Sequence, residues 1–402
     1  MGTRISTNRL TARYSIHQFL SFSIAAGIST FATTYLLEKG FSTSQIGTIL
    51  STSSVLACLI QPLMGDVVDR LERFMLPQII GTIFLGIFVC FSVILFCNLP
   101  KGILGTLYGI GIFLYSTTSS LNNSLCAYYA NRNYPINYGV GNGVGSMSFS
   151  FASLIYGYIM AGLGVDSMIW IALILMLLLI VVVSKYPHLS KLKQEKEELR
   201  QVADERVSIV RFFGKYKLFT CTMLGVMLVG MCHSMSENYF IKIFQAVGGG
   251  SEHVGIGMFV ACFSAVPYFL FFEKFKRKFN ILTPLKIAGL FFMLKTILLI
   301  FSTEIWHIYL IQLLQTFTYG FLYQPLYYFT KQRISEKDLV KGQAVTVSLY
   351  TIGTATGTFV GGRAIDLLGL KWMLWFAFGA AFVGTVIINV SLKMYSLQNK
   401  RG

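Results

Sequence analysis

Long apolar runs recur through this 402-residue sequence and decide what it can fold into. Most approach or exceed about 20 residues, the length of helix that crosses the hydrocarbon core of a bilayer. Because lipid offers no hydrogen-bond partners, each run must satisfy its own backbone as a helix. We identify twelve runs, at residues 14–37, 45–64, 75–98, 102–129, 138–162, 166–184, 218–244, 254–273, 284–301, 305–330, 340–362 and 372–394. The sequence therefore predicts an all-α, multi-pass membrane protein with twelve transmembrane helices.

Composition and charge agree with this fold class and exclude others. Hydrophobic residues make up 54% of the chain and charged residues 12%, which is not the profile of a large soluble domain. The net charge of +16 would suggest nucleic acid as a partner of a soluble protein. Here most Lys and Arg residues fall in alternate loops, so the positive-inside rule places both termini in the cytoplasm and explains the charge without nucleic acid.

The chain repeats itself after about half its length. GYIMAGLGVDSMIW at 157–170 recurs as GGRAIDLLGLKWMLW at 361–375. Six spans separate the copies, so both have the same orientation, as in transporters whose halves rock about a site near the bilayer midplane. We predict a six-helix bundle at residues 1–184, a cytoplasmic linker with an amphipathic segment at 185–217, and a second six-helix bundle at 218–402. A regulatory role for the linker is an alternative to a purely connecting one.

A cluster of charges follows the second apolar run. The stretch Gln61–Phe74 reads QPLMGDVVDRLERF, and the turn beginning at Gly65 is too short to hide its charges, so it must lie at the membrane surface. Gly65 allows another backbone to approach closely. Asp69 is placed to accept hydrogen bonds from the N-terminal amides of a neighbouring helix. The alternative is a solvated charged turn.

This motif resembles one of the major facilitator superfamily, and the resemblance covers essentially the whole chain. It consists of Gly65, Asp69, Arg70 and Arg73 between spans two and three. With the preceding GFSTSQIG, it is most similar to the oligosaccharide/proton symporter branch that includes lactose permease. The resemblance implies a major facilitator fold of two parallel six-helix repeats and a conformational role for the motif. It also implies that Asp69 holds the N-terminus of span eleven, near Lys341, in the outward-open state.

By the same resemblance, spans one, four, seven and ten line a central cavity, and their polar residues are candidates for substrate binding. Amides both donate and accept hydrogen bonds, which suits sugar hydroxyls, and an aromatic ring can cover the apolar face of a pyranose. The candidates are Ser120, Asn123, Ser124, Asn142, Phe149, Gln312, Gln315, Tyr319 and Tyr323, those on span four continuing a stripe that begins at Thr117. Each polar side chain could alternatively bond only between helices.

The branch's own charged sugar contacts are missing here. Ser124 and Asn142 stand where that family has its sugar-binding Glu and Arg, and Phe149 stands in place of its Trp. Binding of galactosides through those contacts is therefore not expected. The aromatic residue at position 149 still allows a sugar ring to stack.

Two titratable residues lie four positions apart on one face of span seven. These are His233 and Glu237, and Lys295 adds a cation in span nine. A charge at the centre of a membrane helix costs roughly 2.5–3.5 kcal/mol, so such residues are functional candidates. We predict that Glu237 is the proton-coupling site, with His233 as relay and Lys295 nearby. The alternatives are a structural pair of Glu237 with Lys242 or Lys295, and a helix end that reaches interfacial water.

Together these features predict a secondary transporter in the cell membrane, acting as a monomer by alternating access. Its partners are a small solute, protons and the lipid bilayer; the solute is a saccharide or similar neutral polar compound imported with protons. No cofactor, metal site or enzymatic role is predicted, because no cluster of ligands or catalytic triad has a supporting context. Two alternatives remain: a proton-coupled efflux antiporter for amphipathic drugs, and a non-transporting membrane sensor that signals through residues 185–217.

Overall fold

The computed structural model describes residues 7–70, 75–187, 209–278, 280 and 282–401, and within them it contains helices and no β-strand. The first set of helices comprises α1 (Thr7–Ala25), the π-helix π1 (Ala26–Thr30), α2 (Ala32–Glu38), α3 (Thr43–Arg70), α4 (Leu76–Phe96), α5 (Lys101–Ala130), α6 (Tyr138–Leu163) and α7 (Asp166–Ser184). The short linker helix is α8 (Ile209–Lys215). The second set comprises α9 (Lys217–Asn238), α10 (Phe240–Gln245), α11 (Ser251–Lys278), α12 (Leu282–Ile300), α13 (Ile305–Gln312), the π-helix π2 (Thr316–Gly320), α14 (Phe321–Arg333), a 3-10 turn (Glu336–Asp338), α15 (Leu339–Leu368) and α16 (Leu370–Arg401).

Eight helices among the described residues are long and apolar enough to cross a membrane: α3, α4, α6, α7, α9, α11, α12 and α16. A ninth span results if α1 and π1 continue into α2, with a bend of 44°. Large apolar side chains are widely exposed, such as Leu163 at 79% and Phe301 at 69%, which fits a surface in contact with lipid. The protein is thus an all-α, multi-pass membrane protein, as predicted.

The expected start of the charged turn at Gly65 is wrong. Helix α3 continues through Gly65 and ends at Arg70, because charged residues are compatible with helix and a helix that has left the lipid can extend into water. The side chains of residues 62–70, including that of Asp69, lie outside the described residues. Arg73 lies outside them entirely. The predicted contact of Asp69 with the start of α15 therefore stays a prediction.

Helix packing in the second set corresponds to that in the first. In the first set α1 packs on α6 and α7, α4 packs on α5 and α7, and α3 packs on α5. In the second set α9 packs on α15 and α16, α12 packs on α14 and α16, and α11 packs on α13. The two lists of packed pairs are the same when each helix of the second set is matched to one of the first. The matched helices are α9 and α1, α11 and α3, α12 and α4, α13 with α14 and α5, α15 and α6, and α16 and α7.

Two helix crossings join the sets, α3 with α15 and α6 with α11. Glycines allow both. A Cβ added to Gly157 would lie 2.9 Å from the Cα of Gly255, and one added to Gly47 would lie 2.7 Å from the carbonyl oxygen of Thr358. Small residues let helices pack backbone to backbone in this way. Gly47 and Gly255 occupy matching places in the sequence repeat, since each follows a β-branched residue near the start of its helix.

Four glycines with positive φ mark one end of the bundle, which we call the Gly40 end. They are Gly40 (80°), Gly164 (84°), Gly248 (82°) and Gly369 (92°). Glycine takes this conformation without the strain that a side chain would add, and Gly164 and Gly369 use it to end α6 and α15. Gly248 follows Gly40 by 208 positions and Gly369 follows Gly164 by 205, again half the chain.

The end of the linker is attached to the loop before α15, on the side of the bundle away from the Gly40 end. The Lys215 ammonium lies 2.7 Å from Asp338 Oδ2, and the Tyr216 hydroxyl donates to the same oxygen at 2.8 Å. These two hydrogen bonds, that from Lys215 first, hold the pKa of Asp338 below its usual value. The predicted amphipathic segment thus ends in a polar anchor to the second set.

Candidate functional site

A buried ion pair links the end of α9 to the middle of α12. Lys295 Nζ lies 2.9 Å from Glu237 Oε1 and donates a second hydrogen bond of 2.7 Å to Gln315 Oε1. The side chain of Lys295 is only 4% exposed and that of Glu237 only 13%. Glu237 therefore forms the ion pair with Lys295, which was one of the alternatives that the sequence left open. Three residues singled out in the sequence, from three separate helical segments, meet here.

The second oxygen of the Glu237 carboxylate, Oε2, has no hydrogen-bond partner among the described residues. The same holds for Oε1 of Gln312, a side chain that is 1% exposed. A buried acceptor without a donor is costly, typically by about 1–3 kcal/mol. Both atoms are therefore positions at which a proton or a donor group from a solute would be stabilised.

An aromatic column stands beside this network. The His233 ring stacks on Tyr319 with centroids 5.4 Å apart, and Tyr319 stacks on Tyr323 at 5.2 Å. His233 also meets the edge of Phe292 at 5.7 Å. His233 is thus held by ring contacts one helical turn from Glu237, and its role as a relay stays a prediction. Tyr323 is 55% exposed, so the column runs from the interior toward an open surface.

A second polar cluster lies in the first set, around Asn142. Its Oδ1 accepts a hydrogen bond of 3.1 Å from Gln18, which also donates to the Tyr14 hydroxyl at 3.1 Å. Next to Gln18 on α1, His17 has its Nε2 atom 3.1 Å from Asn122 Oδ1. Gln18 and His17 are 1% and 0% exposed. Gln18 and His17 were not chosen as candidate site residues from the sequence, although their position inside the first apolar run could have indicated them.

Three other candidates fall outside these two clusters. Asn123 and Ser124 are exposed, and Phe149 is half-buried against the hydrophobic core. The side chain of Ser120 lies outside the described residues. Thr117, at the start of the predicted stripe on α5, is 2% exposed and donates to the Leu114 carbonyl, so it faces the core.

A cavity of about 300 Å³ opens on the neighbouring face of α5. Its polar lining comes from four helical segments: Ser29, Ser54, Cys58, Gln61, Ser116, Ser119 and Thr351. The sequence missed this face because small hydroxyl residues occur all round α5, so polarity alone did not fix its rotation.

One π-helix borders the cavity and the other borders the network of Glu237, Lys295 and Gln315. Ser29 of the cavity lies inside π1, and π2 begins directly after Gln315. Short π-helical turns inside longer helices occur frequently at functional sites. Among the described residues no group of three or more His, Cys, Asp or Glu side chains is arranged to hold a metal ion.

Solved structures of transporters share this fold. A mutant of the nucleoside transporter NupG aligns with a TM-score of 0.79 at 15% identity, covering 96% of this chain and 100% of that chain. A POT family transporter in complex with a thioalcohol-conjugated peptide aligns with a TM-score of 0.69 at 13% identity, covering 98% and 96%. A sequence search of curated proteins gives no significant match.

The family model extends over nearly the whole sequence. The model of the MFS_1-like family matches residues 11–376, which include every helix of the first set beyond the first residues of α1 and the second set as far as α16. Both this family and the structural neighbours consist of transporters rather than enzymes. The chain therefore belongs to the MFS_1-like family, within the major facilitator superfamily of membrane transporters.

Proposed function

We propose that this protein imports a small, neutral, hydroxyl-bearing solute, a saccharide or similar compound, together with protons. The observation that carries the proposal is the network of Glu237, Lys295 and Gln315, an ion pair buried among membrane helices beside an unpaired carboxylate oxygen. Burying two charges costs several kcal/mol per ion before their attraction is counted. A site of that kind is more readily explained by a titration step in transport than by stability.

The architecture that we propose has twelve spans in two like-oriented bundles, residues 1–184 and 218–402, with both termini in the cytoplasm. It is supported by the matching helix pairings and by the half-chain spacing of the positive-φ glycines. Helices α5 and α15 have 30 residues each, about 45 Å of helix, which is ample to cross a bilayer. The remaining span would run from α13 through π2 to α14.

In this proposal the two bundles rock about their shared crossings. Contacts between the sets gather toward the Gly40 end, where Thr43 donates to the Gly362 carbonyl and Ser251 to that of Gly157. Away from that end, Tyr138 and Tyr323 are 43% and 55% exposed. With both termini in the cytoplasm, the Gly40 end faces outward, and this conformation is open to the inside.

Coupling follows from the cost of an unpaired buried charge. Protonation of Glu237 removes the partner of Lys295 and leaves a desolvated cation, which is strongly unfavourable. A bound solute that offers hydroxyl oxygens to Lys295 and Gln315 compensates for that loss. Proton and solute therefore favour each other's binding, which is the requirement for symport.

A nucleoside is a second candidate solute, and the aromatic column favours it. A nucleoside adds a flat base to a sugar ring, and Tyr323, the exposed ring at the end of the column, provides an aromatic face of suitable size. NupG, a nucleoside transporter, has the same fold. The efflux antiporter and the non-transporting sensor remain the alternatives from other classes.

The test uses purified protein in liposomes that enclose a pH-sensitive dye. Glucose, maltose or uridine added outside should acidify the lumen when it is a substrate, and Glu237→Gln should abolish that acidification while retaining exchange of labelled solute. Glu38→Gln is the matched control, because Glu38 is exposed at the Gly40 end. Proton flux that is driven only by lipophilic cations would favour the efflux antiporter. The absence of any flux, with ligand-dependent binding of a partner to residues 185–217, would favour the sensor.

A further inference from the structure

A histidine lies in the first turn of α11, at the Gly40 end of the bundle. His253 is the third residue of this helix, and the Gly250 amide, just before the helix, donates to its Nδ1 atom at 3.1 Å. Amides at the start of a helix have no partner within it, and a side chain at the third position commonly accepts from the amide that precedes the helix. His253 therefore closes the first turn of α11.

The same nitrogen atom also faces a carboxylate. Glu252 Oε1 lies 2.6 Å from His253 Nδ1. A ring nitrogen with a free lone pair accepts a hydrogen bond, and a protonated one donates. With a lone pair on Nδ1 the ring binds the Gly250 amide, and with a proton on Nδ1 it binds Glu252 and releases the amide. The two contacts exclude each other, and charging the ring always selects Glu252, because both nitrogens are then protonated.

The rings around this imidazole are uncharged. Tyr309 of α13 stacks on it with centroids 6.4 Å apart, Phe244 of α10 lies at 6.1 Å, and α6 contributes Tyr158, which lies near Tyr309. Other titratable residues of α10 and of the start of α13 are two or five positions from these rings and so point to other faces: Lys242, Glu304 and His307. Among the described residues, Glu252 is the acid within 4 Å of the ring.

The first turn of α11 also makes the crossing with α6. The Ser251 hydroxyl donates to the Gly157 carbonyl at 3.2 Å, and a Cβ added to Gly255 would lie 3.1 Å from the Cα of Gly157. Ser251 stands between Gly250 and Glu252, the two alternative partners of the histidine. A change of partner therefore acts on the segment that holds the two sets of helices together.

The charged form of His253 disfavours this closed arrangement. The ring then loses the Gly250 amide and places a positive charge at the N-terminus of a helix, where the helix dipole opposes it. It gains an ion pair with Glu252, but the two side chains are 24% and 29% exposed, and ion pairs reached by water contribute little. The neutral ring is therefore the form that keeps α6 and α11 together.

We propose that His253 is a second proton-binding site, separate from Glu237, and that a proton taken up from outside loosens the crossing of α6 with α11. The inference rests on the proposed orientation of the protein, in which the Gly40 end faces outward, and not on the identity of the solute. Acid outside the membrane then promotes opening of this end, whereas Glu237 responds to the solute in the interior.

The test follows the parting of the two helices. Ser153 of α6 is 0% exposed, and a Cβ added to Gly255 would lie 2.7 Å from its carbonyl oxygen, so a cysteine in Ser153→Cys meets water when α6 and α11 separate. Intact cells are treated with an impermeant maleimide at about pH 5.5 and about pH 8, which span the usual titration of histidine. Peptide mass spectrometry gives the labelling rate relative to Cys97, which is exposed at the same end and corrects for the reactivity of thiols.

We expect this relative rate to be several-fold higher at the acidic pH in the parent protein and equal at both in His253→Gln. Glutamine suits the third position of a helix, where it still accepts from the Gly250 amide but takes up no proton. His307→Gln is the matched control. His307 occupies the third position of α13 and accepts from the amides of Thr303 and Glu304 at 3.3 Å, but it lies away from the crossing, so the response should persist.

Glu252→Gln gives a second readout. Without the carboxylate the charged ring loses its partner, so the response should move to lower pH. Each measurement is repeated with Glu237→Gln, which removes any contribution of that carboxylate to the pH dependence. A response in His253→Gln as large as in the parent protein, or no response in the parent, would overturn the proposal.

Two further outcomes separate this site from the transport function. If Cys97 is not labelled from outside, the orientation is wrong and the external proton site fails with it. If the pH response follows His253 while no sugar or nucleoside drives proton flux, the proposed solute is wrong and the proton site stands.

Discussion

Lys295 is a charged residue buried in the interior of the second set of helices. Its ammonium makes hydrogen bonds of 2.9 Å to Glu237 and 2.7 Å to Gln315, and almost none of its side chain reaches solvent. An ammonium group has three donors, so two of them are used in this conformation. The residue serves at once as counter-ion to a carboxylate and as donor to an amide that is a candidate for solute binding.

Removing Lys295 alone should be more harmful than removing the pair. Lys295→Met leaves a buried carboxylate unpaired and should destabilise the protein by about 3–5 kcal/mol, whereas Lys295→Met with Glu237→Gln should recover much of that loss. Lys39→Met is the matched control, because its pair with Asp166 is 29% and 50% exposed and is worth about 0–1 kcal/mol. Thermal unfolding in detergent measures the difference. Equal losses for Lys39→Met and Lys295→Met would contradict the assignment.

Among single residues, the sequence identified those that carry a charge into the membrane, because their burial costs much free energy. It did not identify uncharged polar residues, whose burial costs less. Glu237 and Lys295 could be selected because a charge in a membrane helix needs a reason. Gln18 escaped notice because an uncharged amide costs less. Ser116 and Ser119 escaped because hydroxyl groups on every face of α5 left its rotation undetermined, and only packing with π1 and α3 fixes it.

At the scale of helices, the crossings between the sets depend on glycine. Gly157→Leu would drive a side chain into the Ser251 carbonyl and the Gly255 backbone, so α6 and α11 could not pack closely. We expect transport to fall to a small fraction of the wild-type rate and the melting temperature to drop. Gly162→Leu on the same helix is the control, since an added Cβ there meets nothing within 4 Å. Near-normal transport in Gly157→Leu would show that close packing is dispensable.

The start of α3 is held by a carboxylate from the end of α15. Asp366 Oδ2 accepts from the Ser44 amide at 2.7 Å, and Oδ1 accepts from the Thr43 hydroxyl at 2.6 Å and the Thr43 amide at 3.2 Å. This is a helix cap supplied by the other set of helices. Loss of a capping side chain costs about 0.5–2 kcal/mol, or a factor of roughly 2–30 in an equilibrium constant.

Asp366→Ala should therefore favour the conformation in which the Gly40 end is open. The reporter is a cysteine at Thr33, a side chain that is 2% exposed and bonded to the Asn238 carbonyl in the closed arrangement. An impermeant maleimide should label Thr33→Cys faster when Asp366→Ala is also present. Asp166→Ala removes a carboxylate from the same end without touching the second set and should leave the rate unchanged. Identical rates in all backgrounds would refute the capping role.

Helix positions were well predicted from the sequence, because apolar runs of bilayer length leave few choices. Helix ends were less predictable. The charges after Met64 predicted the membrane surface but did not predict the end of the helix, since α3 continues to Arg70 beyond the apolar run. The π-helical turns also had no sequence signal that distinguished them from ordinary helix.

For the molecule as a whole, the proposed rocking requires that the Gly40 end open and close. Cysteines at Ser44 and Asp366, joined by a short bifunctional thiol reagent, should lock the sets together and abolish transport, and a reductant that cleaves the reagent should restore it. The same treatment of cysteines at Lys39 and Asp166 joins two parts of the first set only, and transport should persist. Unimpaired transport after complete cross-linking of the first pair would rule out rocking about these crossings.

The spacing of the sequence indicates the repeat, and the distribution of its charges predicts the orientation in the membrane. The sequence did not predict which end is closed. Chains of this kind must support both conformations, so their sequences stay compatible with each, and only the contacts of Thr43 and Ser251 reveal the one adopted here.

The two seams between the sets are related by the repeat but are not equally strong. In the seam of α3 with α15, Asp366 binds two backbone amides and a hydroxyl, whereas the position 205 residues earlier on α6, at the spacing of Gly164 and Gly369, is Ala161, whose methyl group accepts no hydrogen bond. The weaker seam should part first, with the stronger one acting as a hinge. A solute would then enter through a slot on one flank of the molecule, and selection at the mouth would be made by the residues of α6 and α11 alone.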